Sequence, residues 1–520
     1  MTISGTKFSP LLFGLSLLLS LLISASSNAH INHKDHYSGN DEQRAFKRLS
    51  SHQQLQNLLA KIQRYSFRPI QTGPLISNNG NKGLIDIDVA LPADLAINYQ
   101  VCGETNSTPT IRQAVVCSIN DGGRGNLDPH NIGWSTQGRE LLAIRLGNPN
   151  GRRILVITQQ HGNEPAGTEA ALSITRWLSN GFGSSVQRIL QRLDIVILLR
   201  ANPDGGEPDA QHCSFNPQPG TVISQDCALI RQNVDPQAGG GFTGNSEADF
   251  HGIVGRGYDL NRYHHVALDK PIRPVESQAM VATALAFMPE VILDLHGDLQ
   301  KTDCQLDLSS INPGQILGSL PTVECSTDKR QKDFRLLSPF ADAQTGTQQE
   351  RVAQSLAAKV MKKIDRLFIG SVGRFSQVQL GAGNIGSGAT GSYQLIGAVA
   401  GGWETVNFST DLRADVVAIV AGQPQIGVNP GLPEPRLLNR QIWINRIALY
   451  HALDTLASFE VTPPTDTGDF CDYPLAQGLR ANLPEEYWGI NATSNEVLIP
   501  IEPSIGVPLY ISGNCPDNPL

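Results

Sequence analysis

The sequence has no excess of positive charge. Its 40 Lys and Arg stand against 48 Asp and Glu, a formal net charge of −8. A nucleic-acid groove or an anionic membrane surface is met with a basic patch, so neither nucleic acid nor a membrane surface is expected as a partner. Beyond Ile23 no segment is long and apolar enough to cross a bilayer, which takes roughly 20 residues. No two cysteines form a C-x-x-C pair, which argues against a thiolate zinc site. No internal repeat is apparent. The rest of the composition is ordinary: 40% hydrophobic and 17% charged residues suit a soluble globular protein. The 520 residues suit one large domain with flanking pieces.

The first 29 residues differ from the rest. Lys7 precedes a nearly unbroken apolar run from Leu11 to Ile23, and Ser27-Asn28-Ala29 offers a small-residue cleavage site. This pattern predicts a secretory signal peptide, a secreted or periplasmic product, and no membrane association after cleavage. Eight cysteines lie beyond it, an even number in an oxidising compartment, so disulfides are expected. Sequence proximity suggests the pairs 102–117, 213–227, 304–325 and 471–515.

Along the chain, residues 30–84 read as a polar N-terminal segment and 85–460 as the catalytic domain. Ile85, Ile87, Val89 and Leu91 alternate with smaller or charged residues, as in a half-buried strand. Leu141 to Leu146 and Ile154 to Ile157 read as a hairpin across Asn148-Pro149-Asn150-Gly151. A helix is expected from Pro165 onward, with Ala170, Ile174 and Leu178 on its apolar stripe. Strand-like runs at 195–199, 291–295 and 403–408 alternate with helical ones at 275–287, 349–367 and 441–459. That order predicts an α/β fold with a mixed, mostly parallel central sheet flanked by helices. Residues 461–520 are rich in Pro, Gly and Asn and read as a small β-rich extension tied by Cys471 and Cys515. Residues 205–257 read as a long loop excursion.

The chemistry lies at strand ends. The strand ending at Ile157 runs into Gln160-His161-Gly162-Asn163-Glu164, and a second strand ends in Asp294-Leu295-His296-Gly297. Ligand sites in α/β sheets lie beyond the carboxyl ends of strands. Two imidazoles and one carboxylate suit zinc and leave a fourth position open. Asn202-Pro203-Asp204-Gly205 closes the intervening strand. Gly257-Tyr258-Asp259-Leu260-Asn261-Arg262 brings a guanidinium fork that matches a carboxylate. Glu404 lies in a late apolar strand, where a carboxylate needs a partner or a task.

Taken in order, H-x-x-E, N-P-D-G, G-x-D-L-N-R, a strand ending in His, and a Glu in a late strand resemble the zinc carboxypeptidases over residues 85–460. The resemblance implies one zinc ion held by His161, Glu164 and His296, with Glu404 as the general base. It implies that Asn261 and Arg262 bind the terminal carboxylate of a peptide substrate. Asp259 would fix the outer nitrogen of His161. The family's oxyanion arginine maps onto Arg231, with Arg256 as the alternative. Its mobile tyrosine has only Tyr393 as a counterpart, 11 residues before Glu404 and closer than the family spacing, where an ordinary packed aromatic serves as well. His264 and His265 stay outside the metal set.

The expected activity is a metallocarboxypeptidase. The alternatives are a zinc deacylase of N-acyl amino acids, like the aspartoacylase and succinylglutamate desuccinylase relatives that share H-G-N-E and D-L-N-R, or a non-catalytic binding protein on the same scaffold. Residues 381–402 contain no charged residue, and by resemblance they line the substrate pocket. Weak preference for charged C-terminal residues is therefore expected.

Overall fold

A computed structural model describes residues 49–77, 82–92, 109–119, 131–207, 233, 258, 260–264, 266, 274–298, 303–304, 322–326, 334–338, 356, 360, 363–364, 376–380, 392–406, 412–420, 423–430 and 435–458. These lie within one compact unit, Glu42–Leu520. The expected leader and the C-terminal extension at 461–520 fall outside the described residues, as does nearly all of the 205–257 loop.

The central element is an eight-stranded mixed sheet. Its strands are β1 (Ile70–Pro74), β2 (Leu142–Gly147), β3 (Arg152–Thr158), β4 (Leu193–Leu199), β5 (Val291–Asp298), β8 (Phe334–Ser338), β9 (Ser376–Leu380) and β10 (Val399–Val406). Their spatial order is β1-β2-β4-β3-β5-β10-β8-β9. The four middle strands, β4, β3, β5 and β10, run parallel to one another. Their sequences explain the position: β4 reads Leu-Asp-Ile-Val-Ile-Leu-Leu and is buried at every residue. Such a run belongs where both faces are covered.

The two faces carry separate cores. Ile154, Val156, Ile195, Ile197, Leu293 and Trp403 point to one face, with helices α1 (His52–Tyr65), α3 (Ala166–Asn180), α4 (Ser184–Arg192) and α6 (Pro435–Ser458). Leu155, Ile157, Val196, Leu198, Ile292 and Ala400 point to the other, with α2 (Ile111–Ile119) and α5 (Val275–Phe287). The strict alternation is the strand period of two. Each buried Ile, Val or Leu contributes about 1.5–3 kcal/mol. Helix α5, Val-Glu-Ser-Gln-Ala-Met-Val-Ala-Thr-Ala-Leu-Ala-Phe, is apolar nearly all round and almost wholly buried, as its composition requires. It ends where Met288 turns left-handed and its N–H returns to the Ala284 carbonyl.

Two expectations are corrected. Residues 142–147 and 152–158 are strands, but they do not form a hairpin, because β4 lies between them, antiparallel to β2 and parallel to β3. The Asn148–Gly151 turn exists, with Gly151 N–H donating to Asn148 O at 2.8 Å. It arches over the start of β4, and Asn148 N–H donates to Leu193 O at 2.7 Å. Gly147 has φ +104, and a Cβ there would lie 2.1 Å from Leu193 O, so glycine is what lets the chain cross. Residues 85–91 are the second correction. Ile85 and Ile87 are buried between exposed Asp86 and Asp88, but the segment forms only isolated bridges, Ile76 with Ile85 and Ala90 with Thr110. Its carbonyls are taken by the start of α2: Ile111 N–H donates to Val89 O and Arg112 N–H to Ile87 O.

A second sheet joins β6 (Asp303–Cys304), β7 (Thr322–Ser326), β11 (Leu412–Val420) and β12 (Gln423–Pro430), in the order β12-β11-β7-β6. Its antiparallel register sets Cys304 opposite Cys325. Of the helix expected at 349–367, the described residues 356, 360, 363 and 364 are helical, with Leu356, Val360 and Ile364 buried on one face.

Candidate metal centre

The strands β3 and β4 both end on a residue with left-handed backbone, Gln159 (φ 53) and Arg200 (φ 55). Such residues cost about 1–3 kcal/mol each and persist only where their surroundings hold them. Here they hold each other. Asn202 N–H donates to Gln159 O at 3.0 Å, and Arg200 Nε donates to Gln159 Oε1 at 3.1 Å. Gln159 Nε2 then donates to Gly162 O at 2.7 Å, clamping the turn that carries the first two candidate ligands. Helix α3 starts directly after that turn.

His161, Glu164 and His296 meet in this place, all three buried. His161 Nδ1 lies 2.8 Å from Glu164 Oε1, His296 Nδ1 lies 3.0 Å from Glu164 Oε2, and the two Nδ1 atoms are 3.2 Å apart. A tetrahedral zinc with bonds of 2.0–2.1 Å separates its ligand atoms by about 3.3 Å. The donor set and its spacing therefore fit the ion. Gly297 makes the meeting possible, since a Cβ there would lie 3.0 Å from Glu164 Cγ.

The electrostatics agree with a site built for positive charge. Burial alone would raise the Glu164 carboxyl, but the two imidazoles outweigh it and hold the group well below the usual carboxylate range. Burial would lower His296, yet the Asp294 and Glu164 carboxylates push it up to about 10.

The outer nitrogen of His296 has a close partner. Nε2 lies 2.6 Å from Asp294 Oδ2 and 3.4 Å from Asn261 Nδ2. The shorter contact decides: Nε2–H donates to the Asp294 carboxylate, so Nδ1, which faces Glu164 and His161, is the nitrogen that would give up its proton to a bound metal. Asp294 is fully buried and two residues before His296, so both project from the same face of β5. Motif reading alone misses Asp294; the signal that marks it is its place two residues before a strand-end histidine.

The remaining expected residues divide. Glu404 is partly exposed on β10, in parallel register with His296. Asn261 reaches the centre from a 3-10 turn, Leu260–Arg262. The Arg262 side chain, Asp259, His265, Arg231 and Arg256 lie outside the described residues. Tyr393 is fully buried, and its hydroxyl lies 2.7 Å from His264 Nδ1. His264 is not among the three ligands, but its Nε2 lies 2.5 Å from Gln160 Oε1.

Asp204 of the Asn-Pro-Asp-Gly motif has a scaffolding position. It accepts from Ser135 Oγ, Gln137 N–H and Arg139, all within 2.9 Å. Glu276 at the start of α5 accepts from Thr136 N–H and from Asn233 Nδ2, each at 2.8 Å. Together they fix the 131–141 loop.

Residues 126–279 match the family model described as zinc carboxypeptidase. The chain is 37% identical to carboxypeptidase E of Caenorhabditis elegans over 87 residues, which is 15% of this chain and 18% of that protein. It is 32% identical to human carboxypeptidase D over 85 residues, 15% of this chain and 6% of that protein. These stretches thus span less than a fifth of the curated relatives. Among solved structures, carboxypeptidase A from Helicoverpa armigera aligns with a TM-score of 0.43 at 12% identity, covering 86% of this chain and 81% of that one. A metallo-carboxypeptidase from Pseudomonas aeruginosa aligns with a TM-score of 0.36 at 16% identity, covering 62% of each chain.

Proposed function

We propose that this chain, a member of the zinc carboxypeptidase family with a His-Glu-His metal triad, is an exported enzyme that removes the C-terminal residue of peptides. The observation that carries the reading is the convergence of His161 and Glu164, just past the carboxyl end of β3, with His296 near the carboxyl end of β5, and Glu404 on the adjoining strand. The partial exposure of Glu404 leaves its carboxylate within reach of water and substrate beside the buried ligands.

His161, Glu164 and His296 would hold zinc, which would supply Lewis-acid polarisation of the scissile carbonyl and activation of a water at neutral pH. Glu404 takes the proton from the attacking water and passes it to the leaving amine. Asp294 keeps the His296 tautomer that presents Nδ1 as a ligand, and Asp259 does the same for His161. Asn261 and Arg262 hold the terminal carboxylate of the substrate, which makes the cleavage one of chain ends. Arg231 stabilises the oxyanion. The apolar leader directs export, and Cys304 with Cys325, opposed in register, forms one of the disulfides.

The test is chelator-sensitive turnover on a mixed panel of free-carboxylate peptides, the same peptides amidated, and N-acyl amino acids. The reading expects cleavage of the free-carboxylate peptides alone. Turnover confined to N-acyl amino acids would replace it with a deacylase, and metal binding without turnover of any member would leave only a binding protein.

A further inference from the structure

Four segments of the chain deliver the residues assigned to the site. The end of β3 brings His161 and Glu164, and β5 brings His296. The stretch 260–264 brings Asn261, and 392–406 brings Glu404. One line of buried hydrogen bonds touches all four. Asp294 Oδ2 accepts from Gln160 Nε2 at 2.7 Å as well as from His296 Nε2. Gln160 Oε1 meets His264 Nε2 at 2.5 Å, and His264 Nδ1 meets the Tyr393 hydroxyl at 2.7 Å. Asp294, Gln160, His264 and Tyr393 are each 0% exposed.

The direction of every link comes from donor chemistry. The Gln160 amide nitrogen donates to Asp294, so its oxygen can only accept, and His264 must carry its proton on Nε2. A neutral His264 then presents Nδ1 as an acceptor, and the Tyr393 hydroxyl donates to it. Burial and the Asp294 charge both push the Tyr393 phenol up, which keeps that proton in place. The donors all run toward Asp294. Its Oδ1 has no partner among the described residues, so Oδ2 alone collects the line.

We propose that Tyr393, His264 and Gln160 are positioning residues that brace Asp294, and through it the metal ligand His296, so that the four site segments keep one mutual arrangement. The inference rests on the reading that the triad holds zinc. Hydrogen bonds in a buried line polarise one another, and a buried carboxylate with a missing donor reorients to find another partner. That change would let the His296 ring turn and lose its fixed tautomer.

The test is a zinc competition titration on the full chain, with thermal unfolding of the metal-free forms as a check on folding. Outer partners of metal ligands are worth about 10–100-fold in affinity, the loss expected for Asp294→Asn. Tyr393→Phe removes one hydroxyl and is expected to weaken zinc by about three- to tenfold, Gln160→Met by at least as much. In the Asp294→Asn background the Tyr393→Phe loss is expected to fall below about twofold, because linked residues are non-additive. Wild-type affinity in Tyr393→Phe and Gln160→Met overturns the inference, as does an equal Tyr393→Phe loss in both backgrounds. Should Asp294→Asn fail to fold, the two milder variants still decide. A wild-type chain that binds no zinc would instead remove the metal reading on which the inference stands.

Discussion

Glu404 on β10 sits beside His296 on β5, the two residues paired in the parallel register of the central sheet. In-register neighbours project from the same face, so a partly exposed carboxylate stands next to a buried imidazole of the metal triad. A general base is worth about 10²–10⁴-fold in rate. Glu404→Gln is therefore expected to lower kcat by that factor while the purified protein keeps its zinc. Unchanged turnover would remove the base assignment, and loss of zinc would make Glu404 a ligand.

Stability should depend on pH through two groups of opposite sign, the buried Glu276 and the half-buried His52. Burial, reinforced by the Asp204 charge, pushes Glu276 up to about 7 from its ordinary 4.5. The folded state then holds a proton that the unfolded chain releases, so this contribution is present below about pH 4.5 and lost as pH rises through 7. Burial, aided by Arg200 and Arg139, pulls His52 down to about 4 from 6.5. Its contribution is present above about pH 6.5 and lost as pH falls toward 4. Urea unfolding of the metal-free protein across pH 4–8 checks both. Glu276→Gln is expected to remove the decline toward neutral pH, and His52→Gln the decline toward acid. A variant whose profile parallels wild type would contradict the corresponding assignment.

Trp403 ties the strand bearing Glu404 to the last helix. Its ring is buried, and Nε1 donates to Asn445 Oδ1 at 2.8 Å. Asn445 Nδ2 donates to Thr405 Oγ1 and to Gln441 O, each at 3.0 Å. Asn445→Leu would strand the indole N–H in the core, at a cost of about 1–3 kcal/mol. Urea denaturation measures it, and a change below about 0.5 kcal/mol would show that Asn445 has no such role.

Residues 381–402 supply no charge that could pair with a substrate side chain. Peptides ending in Leu are expected to be cleaved faster than those ending in Lys or Asp, judged by kcat/KM. Fastest cleavage after Lys would place an acidic group in the pocket.

Much of this architecture is legible in the sequence because it rests on local periodicity. The α5 run at 275–287 and the apolar runs of β4 and β5 declare burial by composition, and His161, Glu164 and His296 stand at strand ends where ligands collect. Pairing at a distance is not legible in the same way. The Asn-Gly turn signals a hairpin, but the partner of β2 comes from residues 193–199, whose insertion is favoured by burial of a strand apolar but for Asp194, which Arg145 of β2 pairs, and not by any feature of the turn. Residues 85–91 alternate as a strand should, yet their carbonyls are spent on the first turn of α2. The Asp294 line is hidden for a related reason. Gln160, His264 and Tyr393 are far apart in sequence, and each alone reads as an ordinary polar or aromatic residue.

The most direct measurement is the zinc content of the purified chain and of its His161→Ala, Glu164→Gln and His296→Ala variants after equilibrium dialysis against buffered zinc. One tightly held zinc per wild-type chain, lost in each variant while the fold persists, is the predicted result. Zinc retained at full stoichiometry by all three variants would contradict the account.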